Sequence, residues 1–167
     1  GCINTLPPKY YKVLQAKGIK CAAFNPFRPI MSVVMNNRDH RKIFVVDGKV
    51  GFTGGINLAD EYINVASRFG YWKDTGIRLE GEAVWSMTVM FLEMWNYINH
   101  SSEDYKQFMP QVYQKEPFEG DGFVQPYGDT PLDHETVGEN IYLNIINHAE
   151  RYVYIFTPYL IIDNEML

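Results

Sequence analysis

The dipeptide Asp47-Gly48 stands between two short apolar runs, residues 43–46 and 49–52, and it constrains the chain more than any other feature. A tight turn that matches the twist of two antiparallel strands needs positive φ at both central residues, and aspartate followed by glycine tolerates this. The spacing therefore predicts a hairpin with a two-residue turn. In that register Val46 faces Lys49, Val45 faces Val50, Lys42 faces Thr53 and His40 faces Gly55. Side chains alternate along a strand, so His40 and Lys42 share one face. Gly55 and Asn57 lie on the same face of the partner run if the pairing reaches them.

The residues brought together in this way have a joint chemistry. They supply an imidazole that can attack or accept a proton, a fixed positive charge, a neutral amide donor and a glycine backbone that an anion can approach. Lys42 and Asn57, with Gly55, form a candidate phosphate pocket, in which they hold non-bridging oxygens and stabilise the charge of a pentacoordinate transition state. One well-placed donor of that kind is worth roughly 3 kcal/mol. His40 is the candidate nucleophile, dividing a phosphodiester exchange into two displacements through a covalent phosphohistidine. Asp47 belongs to the candidate catalytic set, although its place in the turn favours a structural or supporting role. The second ring nitrogen of His40 needs an acceptor to hold it, and Asp74 and Glu61 compete for that place. Trp72 is read as core packing. Taken singly these features mean little: a lone His-x-Lys is usually an exposed strand edge, and Gly54-Gly55 alone is more often a bulge or turn.

Composition sets outer bounds. With 46% hydrophobic and 15% aromatic residues in 167, the chain has material for a folded core. Cys2 and Cys21 are too few for a disulfide framework or a four-ligand zinc site, so they are expected to be ordinary buried thiols in a reducing compartment. No cluster of Cys, His and carboxylates has metal-ligand spacing, so neither a metal nor a cofactor is expected. The net charge of −5 divides unevenly: 12 Lys and Arg stand against 8 Asp and Glu up to residue 102, and 3 against 12 beyond it. An acidic chain is a poor general binder of nucleic acid, whose affinity rests on Lys and Arg. The local cluster Arg28, Arg38, Arg41, Lys42 and Lys49, opposed only by Asp39 and Asp47, suits a single anionic group. No uncharged run of about 20 apolar residues is present, and the chain as given reads as soluble.

Along the chain, a helix around Leu14 is expected to stop at Gly18 and lead into a strand over residues 19–24, followed by a loop marked by Pro26 and Pro29. A strand over 75–79 precedes an amphipathic helix whose buried stripe is expected at Val84, Met87, Phe91, Met94, Trp95 and Ile98. Residues 103–121 read as a linker or long surface loop. Beyond them come a short strand at 122–127, a helix carrying Ile141, Ile145 and Ile146, and an apolar strand at 152–156. Strands alternating with helices argue for an α/β fold.

The segment HRKIFVVDGKVGFTGGIN, residues 40–57, resembles the phospholipase D superfamily signature H-x-K-x-x-x-x-D-x-x-x-x-x-x-G-(S or G)-x-N at every specified position. Outside it, Asn37-Arg38-Asp39, Asp60-Glu61-Tyr62, Gly70-Tyr71-Trp72-Lys73-Asp74-Thr75 and Thr157-Pro158-Tyr159 resemble the bacterial cardiolipin synthases. The resemblance implies a mixed sheet flanked by helices. Residues 1–102 then form the first catalytic half, incomplete at its N-terminus, and 122–167 open a second repeat that is truncated before its own motif. It further implies an enzyme that moves a phosphatidyl group from one phosphatidylglycerol to another through a phosphohistidine. That enzyme releases glycerol, uses no metal, and has a second histidine, from the other half of the same chain, as general acid. The full-length protein is then expected at a bacterial cell membrane, without nucleic acid as a partner. Two departures stand out. Gly76 occupies a place where many cardiolipin synthases carry His, and only one H-x-K is present, since His100, His134 and His148 lack the following lysine. The alternatives are a single-motif phosphodiesterase or nuclease completed by a homodimer, and a non-catalytic phosphate-binding domain.

Overall fold

A computed structural model of the chain describes residues 6–25, 39–68, 70–116, 118–119, 122–130, 135–157, 159, 162 and 164. The expectations placed on Cys2, Arg28, Arg38, His134, Pro158 and the Pro26–Pro29 loop lie outside the described residues. Helix α1 spans Tyr10–Ala16, and its end is set by Gly18 as expected. With φ at +80°, Gly18 donates to Gln15 O (2.9 Å) while Ile19 donates to Leu14 O (3.2 Å), so two carbonyls of the last turn are satisfied. Cys21 is only half-buried, contrary to the expected buried thiol, and its carbonyl accepts from Gln15 Nε2 at 2.7 Å.

Strands β1 (Phe44–Val46), β2 (Val50–Gly54) and β3 (Gly76–Glu80) form one antiparallel sheet in the order β1-β2-β3. The hairpin forms with Asp47 at φ +53° and Gly48 at φ +67°, and Lys49 N–H closes the turn on Val46 O at 2.9 Å. Its register differs from the expected one by a residue. Val46 pairs with Val50, Val45 with Gly51 and Phe44 with Phe52, so Lys49 is an extra residue at the turn and the pairing ends before Lys42. The expected strands at 19–24, 122–127 and 152–156 do not form, and the described sheet is wholly antiparallel rather than mixed. Apolar composition alone does not make a strand: each of those runs needs a neighbour to take up its backbone hydrogen bonds, and none of them finds one among the described residues.

Helix α2 (Ala83–Asn99) covers one face of the sheet and carries the core, with Val84, Met87, Thr88 and Leu92 buried. The buried stripe departs from the expected one after its first turn, since Leu92 rather than Phe91 points inward and Phe91 is 50% exposed. Gly51 explains how the helix comes so close. A Cβ at that position would sit 2.7 Å from Met87 Sδ, so the helix rests on strand β2 where a side chain is missing. The opposite sheet face is open, with Phe44 and Phe52 in a tilted pair at 5.9 Å and Arg78 ion-paired to Glu80. Two 3₁₀ turns, Asp60–Ile63 and Tyr105–Phe108, complete the regular elements of this part.

The chain divides into two compact units, Gly1–Pro126 and Tyr127–Leu167. In the second, α3 (Val137–Asn147) carries the expected Ile141, Ile145 and Ile146. The Asp129 carboxylate accepts from Gly138 N at 2.8 Å in the first turn of that helix, where unpaired N–H groups favour negative charge. Among the described residues no helix is long and apolar enough to cross a membrane.

Candidate functional site

In an antiparallel sheet the start of β1, the end of β2 and the start of β3 lie at one end, and His40, Lys42, Gly55 and Asp74 all flank those points. The assembly is therefore made by three strands rather than by cross-strand pairing within the hairpin. The expected opposition of His40 to Gly55 and Lys42 to Thr53 is replaced, because a one-residue shift of register moves every side chain to the other face and the ladder stops at Phe44.

Lys42 and His40 are in direct contact. Lys42 Nζ lies 2.9 Å from Nε2 and 3.1 Å from Nδ1 of the imidazole, and donates to His40 O at 2.7 Å. An ammonium has donors only, so the His40 carbonyl is the acceptor of the shortest of these contacts. Burial pushes the Lys42 ammonium below its ordinary value, while Asp39 and Asp74 act in the opposite sense. Arg41, which intervenes between the two residues, is tied to Asp39 by its Nε (2.9 Å), Nη2 (3.1 Å) and backbone N–H (3.0 Å). One member of the basic cluster is thus already neutralised.

Asp74 is the centre of the other half of the site. Its Oδ2 accepts from Trp72 Nε1 at 3.0 Å, and its Oδ1 accepts from Thr75 N at 2.8 Å and Gly55 N at 3.2 Å. The Trp72 donor, then the Thr75 and Gly55 backbone donors and the charge of Lys42, hold this carboxyl below the usual carboxylate range. A Cβ at Gly55 would come within 2.8 Å of Asp74 Oδ1, and one at Gly54 within 2.7 Å of Thr75 O. The Gly54-Gly55 pair is what lets the end of β2 lie against the start of β3. The anion that approaches the Gly55 backbone is, in this structure, the protein's own.

Asn57 donates from Nδ2 to Tyr62 Oη at 2.7 Å, and the Tyr62 ring meets Trp72 edge-on at 4.6 Å. Glu61 is half-buried in the 3₁₀ turn. Asp47 is separated from the rest: it occupies the turn at the far end of β1 from Lys42, exposed and in the left-handed region. Sequence reasoning gave Tyr62 no role beyond its place in a resembling segment, missed Asn64, and read Trp72 as core, whereas Trp72 is half-exposed with its indole N–H on a carboxylate. The available signal was the spacing of Trp72 and Asp74, two apart on an extended segment and hence on one side of it. No group of three or more His, Cys, Asp or Glu that could hold a metal ion occurs among the described residues.

Comparison with known proteins points in one direction. No family model matches the chain, and no solved structure matches it. An uncharacterized protein of Streptococcus mutans is 55% identical over 165 residues, which is 98% of this chain and 35% of that protein. Cardiolipin synthase 1 of Bacillus cereus is 35% identical over 98% of the chain and 33% of its own length. The cardiolipin synthase of Geobacillus thermodenitrificans is 35% identical over 95% of the chain and 31% of its own. The chain is thus similar throughout to bacterial cardiolipin synthases, and it spans about a third of the length of the curated relatives it matches.

Proposed function

We propose that this chain carries one catalytic half of a phospholipase D-type phosphatidyltransferase, a cardiolipin synthase, built on His40, Lys42, Asn57 and Asp74. The observation that carries the reading is the contact of Lys42 Nζ with the His40 ring at the same end of the sheet as Asp74, in a chain similar to cardiolipin synthases over nearly all its length. A histidine and a fixed cation at that separation suit attack on a phosphodiester, because the cation that steadies the ring also faces the oxygens of a phosphate beside it.

In the proposed reaction a nitrogen of His40 forms a bond to the phosphorus of one phosphatidylglycerol, and the phosphorus–oxygen bond to its glycerol headgroup breaks. The leaving oxygen takes a proton from a general acid, for which a histidine of a second half of the protein is the candidate. A headgroup hydroxyl of a second phosphatidylglycerol then attacks the phosphohistidine. Its proton returns to that acid, the phosphorus–nitrogen bond breaks, and the product is cardiolipin with free glycerol. Lys42 and Asn57 hold the non-bridging oxygens, Gly55 allows the close approach, and Asp74 orients the imidazole. Asp47 takes a supporting role in the turn. On this reading residues 1–102 are the first half, 103–121 a connection and 122–167 the opening of a second, and the whole protein works at the membrane surface.

Two measurements test this. In a protein of the length of the relatives, a short incubation with labelled phosphatidylglycerol is expected to leave acid-labile label on His40, and none in His40→Ala. The 167-residue chain alone is expected to hydrolyse a chromogenic phosphodiester poorly, since a missing general acid costs about 10²–10⁴-fold. Robust activity from a monomer refutes the two-half mechanism, and activity that tracks dimer concentration favours a single-motif phosphodiesterase.

A further inference from the structure

Residues 71–75 contain no helix or strand, yet they deliver Trp72 and Asp74 to the site, so something other than a hydrogen-bond ladder must fix them. Asn64 does so from across the loop. Its Nδ2 donates to Trp72 O at 2.9 Å, and its Oδ1 accepts from Trp72 N at 2.6 Å, which holds the tryptophan backbone from both sides. Asn64 itself is left-handed, at φ +59° after the 3₁₀ turn, a conformation that asparagine tolerates better than most residues. From this anchored backbone the indole reaches the site along two separate edges. Its N–H meets the Asp74 carboxylate, and its ring meets Tyr62, whose oxygen takes one of the two amide hydrogens of Asn57.

We propose that Trp72 is a positioning residue that sets the Asp74 carboxylate and the Asn57 amide together, with Asn64 as its anchor. The proposal rests on the phosphate-transfer reading for the purpose it assigns to those two groups, and on geometry for the coupling itself. A ring used only for packing has no need of a donor aimed at a charged oxygen, and Trp72 is half-exposed. An indole also has only two side-chain torsions, so fixing its backbone and one ring edge leaves the N–H direction little freedom. A shift of the loop would therefore move the group that orients His40 and the group that holds phosphate in concert. Neither could drift alone.

The test uses the whole chain and three variants. Trp72→Phe keeps a ring for Tyr62 to meet and removes the N–H. Asn64→Ala leaves the indole intact and frees its backbone. Tyr62→Phe keeps the ring and removes the oxygen. Three quantities are followed by NMR: the titration midpoint of Asp74, the side-chain amide resonances of Asn57, and the affinity for inorganic phosphate, with the α2 amides as control for folding. Trp72→Phe and Asn64→Ala are both expected to move the Asp74 midpoint up toward about 3.9, to shift the Asn57 amide, and to weaken phosphate about ten-fold. Tyr62→Phe is expected to shift Asn57 and weaken phosphate while leaving the Asp74 midpoint in place. An unchanged Asp74 midpoint and Asn57 amide in folded Trp72→Phe overturn the proposal, and if that variant does not fold, the same result in Asn64→Ala does so. If the parent chain binds no phosphate but Asp74 and Asn57 still respond together, positioning stands and the phosphate-transfer reading falls. If phosphate binds the parent and neither group responds, the reverse holds.

Discussion

At the turn end of the sheet Gly48 is buried, and a Cβ there would come within 2.9 Å of Phe108 O and 3.1 Å of Pro110 Cδ, whereas at the opposite end Gly55 and Asp74 are exposed and joined by a hydrogen bond, and exposed His40 is in contact with Lys42. The first end is specified by backbone shape, with positive φ and no room for a side chain. The second is specified by donors and acceptors. Neither end tolerates added volume, since Gly54 and Gly55 are as crowded as Gly48, but only the site end also depends on side-chain donors and acceptors. On the proposed reading, a phosphate site would benefit from this division, because its polar groups could face solvent and substrate while the fold is held elsewhere.

Mutations at the two ends should separate cleanly. The largest expected effect is at the site end: His40→Ala in a protein of the relatives' length abolishes transfer, as measured by release of labelled glycerol from phosphatidylglycerol. Near-normal turnover would end the covalent mechanism. Lys42→Ala and Asn57→Ala are each expected to cost on the order of 10²-fold in the same assay, while they destabilise the fold less than the glycine variants below, because neither side chain is fully buried. At the turn end the pattern inverts. Gly48→Ala, strained in φ and crowded by Phe108 and Pro110, is expected to destabilise by about 1–3 kcal/mol in urea titration. Gly51→Ala, which drives a methyl group at Met87, should fall in the same range. Equal loss of stability from Lys42→Ala and Gly48→Ala would erase the contrast.

The smallest expected effect is in the pH dependence. The folded value of Asp74 lies below its unfolded value, so its contribution to stability is complete above the unfolded value near 3.9 and disappears as pH falls through the lower folded value. Asp39 behaves likewise, since hydrogen bonds from Arg41 outweigh the opposing effect of burial. Acid unfolding of Asp74→Asn should consequently be shallower below about pH 4 than that of the parent, but not flat, because Asp39 remains. Identical acid limbs would show that the donors around Asp74 do not favour its charge.

The hairpin, α1 with its glycine stop, β3, α2 and α3 were all legible in the sequence, because each depends on local signals: a turn dipeptide, a left-handed glycine, an apolar period. The register was not, since a two-residue and a three-residue connection share the same Asp47-Gly48 signal, and only the packing of Gly51 on Met87 and Val84 distinguishes them. The strands expected at 19–24 and 152–156 failed for a related reason: an apolar run states an appetite for burial and not a partner. At the site, the residue types of the motif pointed to His40, Lys42, Gly55 and Asn57 as candidates, and the structure sets His40 against Lys42 and Gly55 against Asp74. The means of assembly was hidden, because the Asn57–Tyr62, Asn64–Trp72 and Gly55–Asp74 bonds span five, eight and nineteen residues, separations that no periodicity encodes.

The carboxylate lodged against Gly55 makes Asp74 a resident counter-ion. While no substrate is bound, it balances Lys42 and occupies the backbone donor, so the cation is never left without opposite charge nearby. On the proposed reading, an arriving phosphate would meet that negative charge at short range and have to share or displace it, which would weaken small free anions that have only their charge to offer. A phosphodiester anchored by contacts elsewhere can overcome the same repulsion. A phosphate-transfer site of this kind would thereby be biased, through its own internal ion, toward ligands that bring more than a phosphate.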